Sequence, residues 1–341
     1  MNCYLARDYK GTLSAGNKAR TDIESIMTDM GYRNLGLSQS VSKGGLKHFF
    51  RNLAGVIKEC AMIRKGDVVV VQYPLKKYFS FVCRMAHLRR AKVVALIHDL
   101  GSFRRKALTE EQEIKRLSNA DVVIAHNASM RRWIEERGCS AKITELGIFD
   151  FLSPARPQPE HSTDECYRVV YAGNLQRRKN SFLYTVNPQN WKMVLYGNGF
   201  EAAEAAGNHS IDYRGFASPA DLIANAGGDF GLVWDGDSTD TCSGNYGEYL
   251  RLNNPHKTSL YIRCGLPVII WKEAALAPFI VKEGLGIAIG SMEELNSLLP
   301  TITPDQYAQM RNNVIAMAER LASGKFAGAA ISGATASLSI R

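Results

Sequence analysis

The sequence predicts an α/β protein built of two doubly wound, parallel-sheet domains that face each other across a cleft. Short β-branched runs alternate with amphipathic stretches, as strands and covering helices do. The alternation stops at a polar, proline-rich stretch and then starts again. The 341 residues also suit two domains at roughly 100–200 residues each.

In the first half the runs are Cys3–Ala6, Val68–Tyr73, Val93–His98 and Val122–His126. Near-continuous apolar runs of this length read as strands buried on both faces of a parallel sheet. Between them Leu46, Phe49, Phe50, Leu53, Ile57, Cys60 and Ala61 recur at three- and four-residue steps, which predicts one apolar helix face. Lys115 to Ala120 closes a charged helix before the next strand. Residues 153–166 contain Pro154, Pro157 and Pro159 among polar residues and predict a linker between a first domain, 1–152, and a second, 167–322. The second series of strands is Arg168–Ala172, Met193–Tyr196, Phe230–Trp234 and Pro267–Ile270. Right-handed crossovers then give a sheet whose ligands sit at the carboxyl ends of the strands. Residues 304–322 predict a further helix, and the Gly-, Ala- and Ser-rich 323–341 predict a flexible tail.

The net charge of +9 is unevenly placed. Residues 1–150 hold 26 Lys and Arg against 15 Asp and Glu, and the remainder 16 against 18. An anionic partner of the first half is expected: nucleic acid, an anionic membrane surface or a phosphorylated substrate. No nucleic-acid module is recognisable. The stretch Lys76–Arg90 has basic heads around Phe79, Val82, Met85 and Leu88, which suits a membrane-surface helix and equally a covering helix with solvated ends. The seven scattered cysteines, without CxxC, point to reduced thiols, a cytoplasmic setting and no zinc site. The amino terminus lacks a signal pattern, and no apolar run approaches a membrane span.

Gly173-Asn174 follows a strand and is itself followed by Arg177, Arg178 and Lys179. A helix N-terminus there would offer N–H groups and charge to a diphosphate. The same residues also suit a tight turn with solvated cations. Tyr196-Gly197-Asn198-Gly199 ends the next strand with similar freedom for close backbone approach. Pro255 suits a helix first turn, which places His256 and Lys257 where the helix dipole disfavours cations; a bound anion would resolve that conflict. His98-Asp99 ends an apolar run at the cleft edge and could supply a general base, or could simply pack and cap. Gly11 to Lys18 imitates a P-loop, but Asn17 stands where the lysine is required; Ser14, Gly16 and Asn17 still suit a phosphate or sugar. Asp235-Gly-Asp237 is the acidic pair that could clamp a metal.

Taken in order, several segments resemble bacterial galactofuranosyltransferase-like proteins. They are Arg7-Asp-Tyr-Lys-Gly11, Ser14 to Ala19, Gly66 to Pro74, Ile97-His-Asp99, Asn119 to Asn127, Ala172-Gly-Asn174, Leu195 to Phe200, Phe230 to Trp234, Asn254 to Tyr261 and Gly265 to Ile269. Those proteins share a fold with the glucosyltransferases that extend O-linked glycans on serine-rich repeat adhesins. The resemblance covers the chain to about residue 320 and implies a GT-B fold of two Rossmann-like domains. It implies a UDP-sugar as donor substrate, no cofactor and no required metal. Lys257 and a basic residue after Asn174, with Arg177 and Lys179 the nearest matches, would hold the diphosphate, and Tyr196 would lie near the uridine. Tyr246 to Leu250 and the longer Asn253 to Lys257 look more like galactofuranosyl than glucosyl members. The Glu-x7-Glu element of many retaining enzymes is not evident, which favours inversion with Asp99 or His98 as base. The acceptor would be a glycan or lipid-linked glycan. Peripheral contact with an anionic membrane and assembly into a homo-oligomer are compatible with this reading. Its rivals are a UDP-glucosyl- or UDP-galactopyranosyltransferase, a non-catalytic nucleotide-sugar-binding subunit, and a nucleotide-sugar epimerase, against which the absence of GxGxxG speaks.

Overall fold

The computed structural model describes residues 1–6, 8–10, 15–37, 40–42, 46–75, 78–104, 106–157, 166–205 and 208–338. It divides into two compact units, one of Met1–Asp150 with Gly324–Arg341, the other of Phe151–Ser323.

Unit one holds β1 (Asn2–Tyr4), β2 (Asp8–Lys10), β3 (Arg33–Asn34), β4 (Ser40–Ser42), β5 (Val68–Tyr73), β6 (Lys92–Ile97), β7 (Val122–Ala125) and β8 (Lys142–Glu145). Among the described residues, six of these make one parallel sheet in the order β3-β1-β5-β6-β7-β8, and β2 pairs with β4. The direction of the order changes between β1 and β5. Val69, Val70, Val93, Val94, Val122 and Val123 are fully buried, as strands covered on both faces require. Edge strands β3 and β8 escape a reading by apolar runs because half or more of their residues reach solvent. The helix Leu46–Met62 forms where the periodicity places it, but with another face inward. Val56, Glu59, Cys60 and Ile63 are buried, whereas Phe50 and Ile57 are about 60% exposed. Apolar count alone misplaced the stripe.

The expected tail is a correction of the same kind. Lys325–Ala336 is a helix that returns to unit one and buries Ala327, Ile331 and Ala334 completely. Its start lies close against the helix Ala15–Asp29: a Cβ on Gly324, the residue just before it, would come within 2.6 Å of Ile26, and the φ of +72 there favours glycine. Asp150 holds its first turn, accepting from the amides of Phe326 (3.2 Å) and Ala327 (2.6 Å).

Two buried groups of unit one shift in opposite directions. Burial pushes the Asp150 carboxyl up to about 6, against the pull of those amides. His126, whose Nε2–H donates to Ile97 O at 3.0 Å, is lowered by burial to about 4, against the charge of Asp99. The raised Asp150 gives stability that is present below about 3.9 and lost as pH rises through about 6. The depressed His126 gives stability that is present above 6.5 and lost as pH falls through about 4. Their trends oppose. Relative to the parent, His126→Gln should therefore lose less stability on acidification from about pH 7 to 4.5, and Asp150→Asn more. Urea midpoints across that range check this, and parallel pH slopes in all three proteins would contradict it.

Unit two holds β9 (Tyr167–Asn174), β10 (Trp191–Asn198), β11 (Ile211–Tyr213), β12 (Phe230–Val233), β13 (Val268–Trp271) and β14 (Gly286–Ile289), all parallel, in the order β11-β10-β9-β12-β13-β14. By rank this is 3-2-1-4-5-6, the order of dinucleotide-binding sheets, with its switch point between β9 and β12. The helix Pro304–Ala322 occupies the span the sequence predicts, opened by Thr303 in a capping box with Gln306. Of the predicted linker, residues 153–157 belong to unit two. Arg263, buried, donates to Ser153 O (2.8 Å) and Ala155 O (3.0 Å). The rest of the linker to Glu165 lies outside the described residues.

Candidate active site

Beside the switch point of unit two the ends of β9 and β10 lie in register, Gly173 beside Gly197 and Asn174 beside Asn198. Both glycines take φ near +147, open to glycine and hostile to side chains. A Cβ on Gly197 would stand 1.9 Å from Gly173 O. The two Gly-Asn pairs thus form one flat double edge. No α-helix starts after it, which corrects the expectation of a helix N-terminus there. Residues 175–180 are turn, followed by a short 3-10 helix, Ser181–Tyr184. Gln176 N is taken by Asn174 Oδ1 (2.9 Å), so phosphate binding through a helix start does not apply here. Asn180, fully buried, ties this turn to the next loop: its Nδ2 donates to Asn174 O (2.7 Å), and its Oδ1 accepts from Gly236 N (3.3 Å).

That next loop follows β12 and carries Asp235. Lys257 Nζ donates to Asp235 Oδ1 (3.1 Å), to Tyr171 Oη (3.0 Å) and to Trp234 O (3.3 Å). Tyr171 in turn donates to the same carboxylate at 3.0 Å. Lys179 Nζ lies 3.6 Å from it and 5.0 Å above the Tyr246 ring. Burial alone would raise Asp235, but Lys257 and Lys179 overcome it and hold the carboxyl below the ordinary range. Burial lowers Lys257, with Lys179 adding to that against the attraction of Asp235. Two ammonium groups face one carboxylate, so the cluster carries an excess positive charge at the sheet edge where such folds bind ligands. The cation at the start of the helix His256–Arg263 is answered by an internal anion, and Lys257 spends its three protons inside the protein.

The other expected donor residues are spread around this centre. Arg177 is exposed, 5.3 Å above the Tyr184 ring. The His256 ring stacks on Phe151 at 4.8 Å. Tyr196 is packed in the core, 7% exposed, its hydroxyl donating to Ala226 O (3.0 Å) and accepting from Arg214 (3.1 Å). It presents no ring face to a uridine. An aromatic residue just before a strand-ending glycine reads alike in sequence whether it faces core or ligand.

In unit one, His98 and Asp99 follow β6 directly and are both half-buried. The His98 ring stacks on Phe149 at 5.5 Å, and His126 meets the same phenyl edge-on at 4.9 Å. His98 Nε2 lies 2.6 Å from Gln72 Oε1. Glu113, fully buried, accepts from Tyr73 Oη and from Ser102 N, both at 2.6 Å, and so fixes the chain just beyond Asp99. Asn17 and Gly16 lie in the first turn of Ala15–Asp29, while Ser14 lies outside the described residues.

Residues 2–148 match the Glucosyltransferase 3-like, N-terminal domain, and residues 169–334 the Glucosyltransferase 3-like, C-terminal domain. The chain belongs to the glucosyltransferase 3-like family. The Beta-1,6-galactofuranosyltransferase WbbI of Escherichia coli (strain K12) is 34% identical over 315 residues, covering 92% of each protein. Glucosyltransferase 3 of Streptococcus gordonii is 23% identical, covering 90% of each. Among solved structures, the lipopolysaccharide outer core galactosyltransferase WaaB in its apo form aligns with a TM-score of 0.62 at 15% identity over 99% of both chains, and WaaG, a glycosyltransferase of lipopolysaccharide biosynthesis, with 0.54 at 11%, over 98% of this chain and all of WaaG. The chain is a glycosyltransferase with the GT-B architecture, as the motif resemblance implied.

For this glucosyltransferase 3-like chain, the residues around the two clusters that the sequence alone did not single out are Tyr171, Asn180, Gln72, Glu113 and His126. Asp235 was visible only as half of an acidic pair. A buried aspartate directly after the fourth strand of a doubly wound sheet, with lysines elsewhere at the same edge, is the signal that would have found it.

Proposed function

We propose that the protein transfers a hexose, galactofuranose in preference to glucose or galactopyranose, from a UDP-sugar to a hydroxyl of a glycan or lipid-linked glycan. The observation that carries this is the Lys179–Asp235–Lys257 cluster at the switch point. Its excess charge suits a leaving diphosphate, whose negative charge grows as the glycosidic bond breaks. Lys179 would make the direct contact, with Arg177 or Arg178 beside it, while Lys257 supplies fixed charge and holds Asp235 in place. The choice of galactofuranose leans on the WbbI relative, which is named for that transfer. Unit two would hold the donor. The His98–Asp99 pair of unit one would accept the proton of the attacking hydroxyl in a single inverting displacement.

The donor set argues for catalysis without a metal. Asp235 is engaged by two lysines, and Asp237 accepts the hydroxyl of Ser243. No cluster of three His, Cys, Asp or Glu side chains suited to a metal occurs among the described residues. Turnover should persist in excess EDTA; a loss restored by manganese would show that the acidic pair binds a cation instead. The donor itself is tested by UDP release from UDP-galactofuranose, UDP-galactopyranose and UDP-glucose with a glycan acceptor. Turnover highest with galactofuranose, giving product of inverted anomeric configuration, is the expected result. Binding of all three without turnover would return the protein to the class of nucleotide-sugar binders.

No helix among the described residues is long and apolar enough to cross a membrane. The basic excess of the first half, and Phe81 (48% exposed) and Leu88 (72%) on the helix Phe79–Leu88, support a cytoplasmic enzyme that touches an anionic membrane surface.

A further inference from the structure

We infer that Gln72 fixes His98 as its Nε2–H tautomer, so that Nδ1 is the atom that takes the acceptor's proton, with Gln72 and Glu24 acting as positioning residues. This rests on the reading that the His98–Asp99 pair supplies the base.

The amide of Gln72 can face only one way. Its Nε2 lies 3.2 Å from Arg20 O and 3.3 Å from Glu24 Oε1. A backbone carbonyl has no proton to give, so the NH2 group must point at this pair. Gln72 Oε1 then points at His98 Nε2, 2.6 Å away. That oxygen is an acceptor alone, so the imidazole nitrogen must be the donor. A neutral imidazole carries one proton, which leaves the lone pair on Nδ1. Gln72 and Glu24 are both buried, at 5% and 2% exposure, so water does not compete for these bonds. Stacking on Phe149 holds the ring plane.

The arrangement also favours the charged product. As the acceptor oxygen bonds to the anomeric carbon, the bond from that carbon to the diphosphate oxygen breaks and UDP leaves with its electron pair. The hydroxyl proton passes to Nδ1. The imidazolium so formed keeps its Nε2–H on the Gln72 carbonyl, polarised by the Glu24 carboxyl group beyond it, and later loses the Nδ1 proton to water. It is the logic of a carboxylate-oriented histidine with an amide inserted.

The test is long-range proton–nitrogen NMR of the full-length protein labelled with 15N-histidine, with the His98 signals identified by their loss in His98→Gln. The expected pattern is a protonated nitrogen coupled to both ring carbon-bound protons, which is Nε2, and an unprotonated Nδ1. A protonated Nδ1 in the native protein overturns the proposal. Gln72→Lys places a donor-only group between Glu24 and His98 and should invert the tautomer. Turnover should then fall at least about 100-fold with the donor KM within about twofold. Gln72→Leu should shift the His98 nitrogen signals and slow turnover less; unmoved signals in both variants overturn the role of Gln72. Inverted signals with parental kcat would overturn the catalytic use of Nδ1, and His98 as the base with it, while the tautomer assignment stands.

Discussion

Lys257→Ala should weaken UDP binding by about 10-fold or more, since a fixed unit charge close to an anion contributes on the order of 1–3 kcal/mol at the effective dielectric of a protein site. The substitution takes the cluster at the end of β9 and β12 from two cations and one anion to one of each, and so removes its excess charge. It also leaves Asp235 buried with the Tyr171 hydroxyl and Lys179, 3.6 Å away, in partial compensation. Breaking one side of a buried ion pair costs about 3–5 kcal/mol of stability, or on the order of 10 °C in the melting of a unit this size. Lys179→Ala separates the two consequences. It should weaken UDP comparably but leave the melting temperature nearly unchanged, because Lys257 and Tyr171 still satisfy the carboxylate. Replacing the pair together, Lys257→Met with Asp235→Asn, should recover stability and, because Lys179 then stands unopposed and the excess positive charge returns, much of the UDP affinity as well. Calorimetric UDP affinities equal to the parent in both single variants would remove the cluster from the donor site.

His98→Gln should slow transfer by at least about 100-fold, the usual contribution of a general base. Glutamine keeps a polar side chain of similar reach but cannot take a proton at neutral pH. UDP affinity should hold within about twofold, because the residues assigned to the donor belong to unit two. Asp99→Asn, measured beside it, ranks the pair. A smaller loss than in His98→Gln leaves the proton on the imidazole, and a larger one moves it to the carboxylate. Near-parental turnover in both would place the base elsewhere, with Asp8 and the segment from Gly11 to Gly16 the next residues to substitute.

Much of the architecture is written in local sequence. Four strands of each sheet are near-continuous apolar runs, and Pro304–Ala322 announces itself through Thr303, Pro304 and Gln306. Lys257 stood out because a cation at a helix start is locally unfavourable. What resists reading is whatever depends on a partner distant in the chain. Asp235 meets Lys257 across 22 residues and Tyr171 across 64. Gln72 meets Glu24 across 48 and His98 across 26. Nothing in a window around any of them distinguishes these polar groups from solvated ones. The glycine-rich end of the chain shows the converse: composition alone suggested disorder, and only Ile26, distant in sequence, accounts for the glycine at 324.

The return of the last helix makes unit one discontinuous, and this has a bearing on synthesis. A nascent chain leaves the ribosome with residues 1–150 exposed but short of a helix that is translated only after unit two. Tyr32 must wait 303 residues for Thr335. Closing so wide a loop directly would be slow. The inserted unit shortens the search. Once it has folded, Phe151 N and Leu321 O are hydrogen-bonded at 3.1 Å, so its two ends leave side by side. The unfinished unit then sees its final helix as though it were tethered a few residues beyond Asp150, whose carboxylate receives it. Completion of the unit translated first is thereby fastest when the segment translated in the middle has already folded.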